Sequence, residues 1–155
     1  MKNILSQITS LLLLISLCYC SGTKVATYPV ETVALPNAED GTIVIRSSGQ
    51  GENKPSAVEN AEKKAFNTLL FYGYPSSVQT RPMVENESAA KNANSGFFNE
   101  FFDNKGYSNF IVSSLDEGSD KRVGKYIYLK RVIKINLRSL RTYLENKGIV
   151  RKFGY

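Results

Sequence analysis

The sequence predicts an α+β fold, a short antiparallel sheet with helices packed on it in the order β-α-α-β-β-α. Three observations predict this fold: an alternating strand near the C-terminus, an earlier helix with alanine at every fourth position, and a last helix with leucines at helical spacing. Segments that mix helices with a hairpin are typical of small α+β sandwiches. The chain has 155 residues, and its composition of 42% apolar and 22% charged residues suits one globular domain.

The first strand is expected to start at Thr42, where Ile43-Val44-Ile45 is a β-branched run. Gly49-Gln50-Gly51 follows and is expected to form a tight turn into a helix, because glycine adopts turn conformations freely. The segment lacks the third glycine and the lysine-serine pair of phosphate-binding loops. We therefore predict a structural turn and no nucleotide site.

The first helix is predicted from Pro55 to Tyr72. Ser56 and Glu59 have the spacing of a capping box at its start, and Gly73 supplies a stop after its end. Small side chains share one stripe of this helix and would let it lie close against the sheet: Ala57, Ala61 and Ala65.

A second helix is predicted from Glu87 to Lys105, although Gly96 lowers its helix propensity. Two i,i+4 pairs of phenylalanine form a wide aromatic face on it: Phe97, Phe98, Phe101 and Phe102. One interpretation is that this face packs on the core. The other is that it binds a partner, because four phenylalanines in six residues are dense for a small domain.

A hairpin is predicted from two strands, residues 107–115 and 123–136, which are joined by a polar turn. One face of the second strand carries Ile127, Leu129, Ile133 and Ile135, and the other carries Tyr126, Tyr128, Lys130 and Lys134. This alternation is typical of a half-buried antiparallel strand. Arg131 falls on the apolar face, and we expect it to lie near an edge or to have a partner, because an unpaired buried charge is unfavourable.

The last helix is predicted to begin after Asn136, a residue suited to the N-cap, and to close at Gly148. Its apolar stripe is formed by Leu137, Leu140 and Leu144.

The N-terminus has the pattern of a secretory signal, a positive start followed by an apolar run that is too short for a confident membrane span. We expect residues 1–20 to be the signal peptide and residues 21–41 to be a flexible tether punctuated by Pro29 and Pro36. Residues 42–155 are then expected to form a single α+β domain.

The only two cysteines, Cys18 and Cys20, lie at the end of the signal. Each ends a segment that is similar to a bacterial lipobox, in which the cysteine becomes the acylated first residue, with chains such as palmitate. Leu17 or Tyr19 stands where that pattern has a small residue. We expect one of the two cysteines to be acylated, because cysteine occurs nowhere else in the chain. Signal cleavage without acylation is the alternative, and a Cys18–Cys20 disulfide would have poor geometry.

Charge is distributed unevenly along the chain. From Lys121 onward there are 11 Lys and Arg residues and one acid, whereas the segment from Cys18 to Asp120 is net acidic. This asymmetry predicts an electrostatic contact surface, with a solvated basic face as the alternative. An exported protein rarely meets nucleic acid, so acidic patches on a partner protein or lipid head groups are the expected partners. The candidate contact residues are Arg138, Arg141, Arg151 and Lys152.

The composition excludes several kinds of chemistry. The chain has no histidine, which excludes His-based acid–base catalysis and Cys/His zinc sites. The acidic turn with Asp116, Glu117 and Asp120 lacks the ligand spacing of an EF-hand calcium loop. We therefore predict no catalytic residue, no metal site and no cofactor, and a protein that is not an enzyme.

The strand that ends in Ser48-Gly49-Gln50-Gly51 and the alanine-bearing helix after it resemble the opening of a small envelope domain. That domain occurs in the LPP20-type lipoproteins and at the N-terminus of the flagellar protein FlgT, and Tyr126 to Gly148 is similar to its closing hairpin and helix. The proline-bearing tether and the run Thr42 to Gly49 also resemble TssQ, the lipoprotein of the Bacteroidota type VI secretion system. The first resemblance covers about Thr42 to Ile149, and the phenylalanine-rich helix departs from its pattern. Both resemblances imply a non-enzymatic envelope protein.

We therefore expect a lipid-anchored structural subunit of a trans-envelope complex, held at the outer membrane and facing the periplasm. Its expected partners are other envelope or secretion-complex proteins. The alternative is a periplasmic binding module for a cell-wall glycan or small ligand, with tyrosines that stack on sugars: Tyr126, Tyr128, Tyr143 and Tyr155.

Overall fold

The computed structural model describes residues 31–36 and 39–152. An open antiparallel sheet of 5 strands and 4 helices form an α+β fold, which confirms the predicted class. The strands are β1 Thr32–Leu35, β2 Thr42–Gly51, β3 Ile111–Asp116, β4 Lys121–Val123 and β5 Tyr126–Asn136. The helices are α1 Lys54–Phe71, α2 Glu87–Ala93, α3 Ser95–Phe98 and α4 Leu137–Asn146. A π-helical turn, Asn99–Asp103, follows α3, and a 3-10 segment, Gly106–Phe110, leads into β3.

The sheet has the strand order β1-β2-β5-β3, and β4 also pairs with β5. All pairings are antiparallel, with Thr42 opposite Asn136 and Gly51 opposite Ile127 along the central ladder. Strand β3 has a register shift between Ile111 and Ser113. The long strand β5 therefore pairs with three others and forms the centre of the sheet.

Strand β1 lies within the segment that we expected to be tether. Thr32–Leu35 pairs with β2, and Ala34, opposite Ile45, packs against the core. The folded domain therefore begins before the predicted boundary at Thr42. The strand has only four residues and no alternating pattern of its own, so its strand character comes from pairing with β2. Pro29 and the rest of the predicted tether up to residue 30 lie outside the described residues.

Helix α1 confirms the predicted position of the first helix, but its cap differs. Asn53 is the N-cap: its Oδ1 accepts from the Ser56 amide at 2.9 Å, and the Ser56 hydroxyl accepts from the Asn53 amide at 3.2 Å. The predicted Ser56–Glu59 capping box is therefore wrong. The alanine stripe is fully buried against the sheet, as expected from its small side chains: Ala57, Ala61 and Ala65.

Gly49 and Gly51 belong to β2 rather than to a turn, which corrects the sequence interpretation. A Cβ atom at position 49 would overlap backbone atoms of α1, so glycine is needed for the close approach of the helix. Buried Ser47 strengthens the same contact, because its hydroxyl donates to the Ala61 carbonyl at 2.8 Å.

The predicted helix from Glu87 to Lys105 is divided into α2, α3 and the π turn. Asn94 leaves the helical conformation at φ −131°, which separates the first two pieces, and Lys105 adopts a left-handed conformation at φ 60° after the π turn. The predicted hairpin also differs, because Tyr107 lies in the 3-10 segment and β4 is an additional strand.

Helix α4 begins and ends as predicted. Asn136 Oδ1 accepts from the Ser139 amide at 2.9 Å, and Gly148 follows the helix at φ 69°. Leu140 and Leu144 are fully buried, and Leu137 packs against the core beside them.

Candidate interaction surface

The helices leave one face of the sheet uncovered. Side chains that alternate along β2 at Ile43, Ile45 and Ser47 are buried towards α1, and those between them are half-buried on the opposite side. Directly opposed residues of an antiparallel ladder share a face, so the register extends this assignment across the sheet. The surface, called the uncovered face below, includes Val33, Leu35, Val44, Arg46, Ser48, Gln50, Ser113, Leu115, Tyr128, Lys130, Val132 and Lys134.

The centre of the uncovered face is a row of side chains across four strands. Val33 is opposite Arg46, Arg46 is opposite Val132, and Val132 is opposite Leu115. Leu115 is 66% exposed, and none of the three apolar residues in this row belongs to the described core clusters. Val33 and Val132 are half-buried. An exposed leucine beside partly exposed valines, with charged residues around them, is typical of a contact surface.

Two ion pairs hold charged side chains in place on this surface. Arg46 Nε lies 2.6 Å from Glu117 Oε2, and the hydrogen bond from Arg46 lowers the pKa of the Glu117 carboxyl. Lys134 Nζ lies 2.8 Å from Glu39, and its hydrogen bond lowers the pKa of that carboxyl. Lys130, which is opposite Ser48 and farther along β5 from Lys134 than Val132 is, is exposed. The uncovered face therefore combines apolar side chains with two ion pairs and the exposed ammonium of Lys130.

One end of the uncovered face is concave. A cavity of about 460 Å³ lies between β2, β5 and the loop after β3. Its walls include Ser48, Gln50, Glu117, Lys121, Tyr128 and Lys130. Hydroxyl, amide, carboxylate and ammonium groups surround one tyrosine ring there, so the cavity can accept a polar group of a ligand or of a partner's side chain.

The structure places the four predicted phenylalanines in and around the core. Phe98 is 4% exposed and Phe101 is 1% exposed, so neither is a surface that a partner can contact in this fold. Phe97 and Phe102 are half-buried and pack against the same core. The core-facing interpretation therefore describes their positions, and only the outer edges of Phe97 and Phe102 reach solvent.

The predicted basic contact residues are dispersed. Arg138 lies 3.0 Å from Asp40, and Arg141 donates to the Gln79 side chain at 3.0 Å. Arg151 and Lys152 are exposed at the end of the described chain. These residues do not form one patch with the uncovered face.

The charge asymmetry of the sequence is partly neutralised inside the fold. Cations of the C-terminal part pair with acids of the earlier part: Lys125 with Glu52, Lys134 with Glu39, Arg138 with Asp40 and Arg131 with Asp116. These ion pairs therefore join the basic C-terminal part of the chain to its acidic earlier part.

Arg131 has partners on the helix-covered face, as expected. Its side chain is 12% exposed, and it donates from Nε to the Ser114 hydroxyl at 2.8 Å and from the guanidinium to Asp116. Glu62 of α1 lies 3.8 Å away and accepts from the same Ser114 hydroxyl at 2.8 Å. This network joins α1, β3 and β5.

The tyrosines predicted to stack on sugars lie in different places. Tyr128 lines the cavity on the uncovered face, and Tyr126 lies farther along the same strand. Tyr143 packs on Phe110 and Phe97, with ring centroids 5.1 Å and 5.9 Å apart, and thus belongs to the core edge. Tyr155 lies outside the described residues.

Cys18 and Cys20, the predicted acylation sites, also lie outside the described residues. None of the helices described is long and apolar enough to cross a membrane. Within residues 31–36 and 39–152, no three His, Cys, Asp or Glu residues are grouped so as to hold a metal ion.

Comparisons with known proteins found no matching family model, no significantly similar curated protein and no significantly similar solved structure. The resemblances to the LPP20-type, FlgT and TssQ proteins therefore stay predictions from the sequence.

Proposed function

We propose that the protein is a non-enzymatic structural subunit of a trans-envelope complex. In this proposal an acylated cysteine, Cys18 or Cys20, holds the chain at the outer membrane on its periplasmic side. The α+β domain then docks onto the acidic surface of a partner envelope protein through its uncovered face. The resemblance to TssQ makes the membrane complex of a type VI secretion system the candidate assembly.

The observation that carries this proposal is the composition of the uncovered face. Leu115 is 66% exposed beside Val132, whereas Ile43, Ile45 and Ile133 on the other face of the sheet are buried. Arg46 lies within the row of Leu115 and Val132, paired with Glu117, and Lys130 lies beside it on β5. A partner that brings acidic groups next to apolar side chains would complement this surface. Such a contact needs no catalytic residue, in agreement with the lack of histidine.

The docking surface can be tested by photo-crosslinking in cells that express the full chain. A photoreactive residue at Leu115 is expected to give a discrete adduct with one envelope protein. The same residue at Val78, which is 69% exposed in the loop after α1, is the matched control and should give no such adduct. Lys130→Glu and about 0.5 M salt should both weaken the adduct, because the contact depends on charge.

An adduct that forms equally at both positions, or one that neither the charge reversal nor salt affects, would contradict docking through the uncovered face. The anchor is tested separately by the intact mass of the mature N-terminus from membranes. Acylated Cys18 and acylated Cys20 give different masses, and an unmodified cleaved end would contradict anchoring.

The cavity beside Tyr128 favours a second candidate function, a binding module for a cell-wall glycan. A tyrosine ring with hydroxyl and amide groups around it is suited to stack on and hydrogen-bond to a sugar. Retention of the full chain on isolated peptidoglycan, lost in Tyr128→Ala and kept in Tyr72→Ala, would favour this function over assembly. Tyr72 is 63% exposed and lies outside this cavity.

A further inference from the structure

A second concave surface shares no lining residue with the uncovered face. A groove of about 460 Å³ separates α1 from α2, α3 and the π turn. The largely buried Phe98 and the half-buried Phe102 lie in its lining, together with three lysines: Lys63, Lys64 and Lys91. This surface, called the basic groove below, combines aromatic and cationic side chains.

Lys64 is the most informative of these lysines. Its side chain is half-buried, and its ammonium donates to the Ser48 carbonyl at 2.6 Å. Burial lowers the pKa of this lysine. Within the described chain no carboxylate lies within 4.0 Å of the Lys64 ammonium, although an ammonium has three protons to donate. A partly desolvated cation held by one neutral acceptor lacks a counter-charge, and an anion in the groove would supply it.

The other two lysines have acidic partners on the surface. Lys63 lies 3.0 Å from Glu59 and 3.7 Å from Asp103, and Lys91 lies 2.6 Å from Glu87. Of these carboxylates only Asp103 lines the groove, and its side chain is 71% exposed. Lys105 also lies 2.8 Å from Glu59, so Lys63, Lys91 and Lys105 balance the three carboxylates, and Lys64 is left as the uncompensated cation of the groove.

Neutral donors surround the lysines. Asn60 Oδ1 accepts from the Gln50 amide at 3.2 Å, so the amide NH₂ of Asn60 remains as the donor end of that side chain. Asn67, Ser95 and Asn99 also line the groove. Several N–H and O–H donors around cations are the arrangement that a phosphate group requires, because it carries close to two negative charges at neutral pH and three acceptor oxygens.

We propose that the basic groove binds a phosphate group, with Lys64 as its principal charge partner and with the attached organic body on the half-buried ring of Phe102. Either a small soluble phosphate ester or the head group of an anionic phospholipid can present this chemistry. The site is independent of docking through the uncovered face, because the two surfaces share no residue.

Binding can be measured by calorimetric titration of the full chain in a non-ionic detergent. One arm uses inorganic phosphate, and the other uses dihexanoyl phosphatidic acid, a short-chain phospholipid. Binding with a dissociation constant of about 1 mM or tighter is expected, and Lys64→Gln should weaken it about tenfold. Lys91→Gln should also weaken binding, and Lys130→Gln, which removes a cation from the uncovered face, is the matched control that should leave it unchanged.

The two arms distinguish the sources of the phosphate. Binding of the lipid about tenfold tighter than inorganic phosphate indicates a head-group site, since the acyl chains can then lie on the ring of Phe102. Equal binding indicates a soluble ester. Absence of binding at about 10 mM of either probe, or an equal loss in Lys130→Gln, overturns the proposal. Circular dichroism of each variant checks that it folds. Asn67→Asp adds a negative charge to the lining and is an independent variant that should also weaken phosphate binding.

Discussion

The Cα atom of Gly49 on β2 faces Ala61 on α1 so closely that a Cβ atom at position 49 would lie 2.7 Å from the Ala61 amide nitrogen and 2.8 Å from its Cβ. Backbone packs directly on backbone at this point, and the buried hydroxyl of Ser47 bonds to the carbonyl of the same alanine at 2.8 Å. The position of α1 over the sheet therefore depends on the lack of a side chain at one residue of β2.

Gly49→Ala is expected to destabilise the domain by about 3 kcal/mol, since the helix must shift away from the strand to admit the methyl group. Gly96→Ala is the matched control. A Cβ atom at position 96 meets nothing within 4 Å, so the better helix propensity of alanine is expected to stabilise the protein by about 0.5–1 kcal/mol. Urea unfolding of the two variants measures both changes, and an equal effect of the two would refute the close-packing argument.

Arg131→Met is expected to destabilise the domain by about 2 kcal/mol, because Glu62 and Asp116 lose their shared cation in a site where the Arg131 side chain is 12% exposed. The double variant with Glu62→Met is expected to lose less than the sum of the single changes, since it replaces a charged pair by apolar contacts. Lys125→Met, at a pair whose side chains are 67% and 66% exposed, should change stability by less than about 0.5 kcal/mol. Strict additivity in the double-mutant cycle would show that Arg131 and Glu62 are not coupled.

Phe101→Ala is expected to cost about 3–4 kcal/mol, because the ring is 1% exposed and packs against Phe66 and Tyr107. Phe97→Ala should cost less, because that ring is only half-buried. Val78→Ala, on an exposed loop residue, should stay within about 0.5 kcal/mol of the parent. Chemical denaturation ranks the three variants, and a neutral Phe101→Ala would mean that the aromatic cluster is not part of the stabilising core.

The stability of the domain is expected to fall on acidification. Hydrogen bonds from Lys54 lower the pKa of Asp116, and those from Arg46 lower the pKa of Glu117. A carboxyl whose pKa is lower in the folded state binds more protons when the chain is unfolded, so acid favours unfolding. Its contribution to the free energy of unfolding is complete above its ordinary pKa of about 4 and is lost as the pH falls through the pKa of the folded state. Unfolding midpoints should therefore decrease from about pH 5 towards pH 2.

Glu117→Gln should make this pH dependence shallower, because it removes one of the responsible carboxyls. Glu85→Gln changes an exposed carboxylate that forms no ion pair with the described residues, and it should leave the curve unaltered. Parallel curves for Glu117→Gln and the parent protein would show that the Arg46–Glu117 pair does not contribute.

The sequence predicted those elements whose ends and faces are marked locally. Helix α4 has its asparagine cap, its leucine stripe and its terminal glycine, and β5 has an alternation that assigned Tyr128 and Lys130 to the solvent side. Strand β1 carries no such signal, because its strand conformation depends on β2. The break at Asn94 was missed for a related reason, since the tertiary packing of Phe98 and Phe101 outweighs the helix propensity of the segment.

The uncovered face and the basic groove also differ in how far local sequence patterns predict them. The polar side of β5 is readable from alternation, so the sequence alone indicated half of the uncovered face, but the contribution of Leu115 depends on the register of β3. The basic groove had no signal in the sequence. Its lysines come from α1 and α2, and only the packing of these helices brings Lys64 and Lys91 to one cavity.

The place of β5 in the sheet determines when the domain can become stable. Strand β5 is the neighbour of β2, β3 and β4, yet it is encoded near the end of the chain. Pairing between such distant segments must first overcome the entropy of closing a long loop. In a nascent chain that has not reached Tyr126, the edges of β2, β3 and β4 that β5 covers therefore have no partner strand until β5 is synthesised.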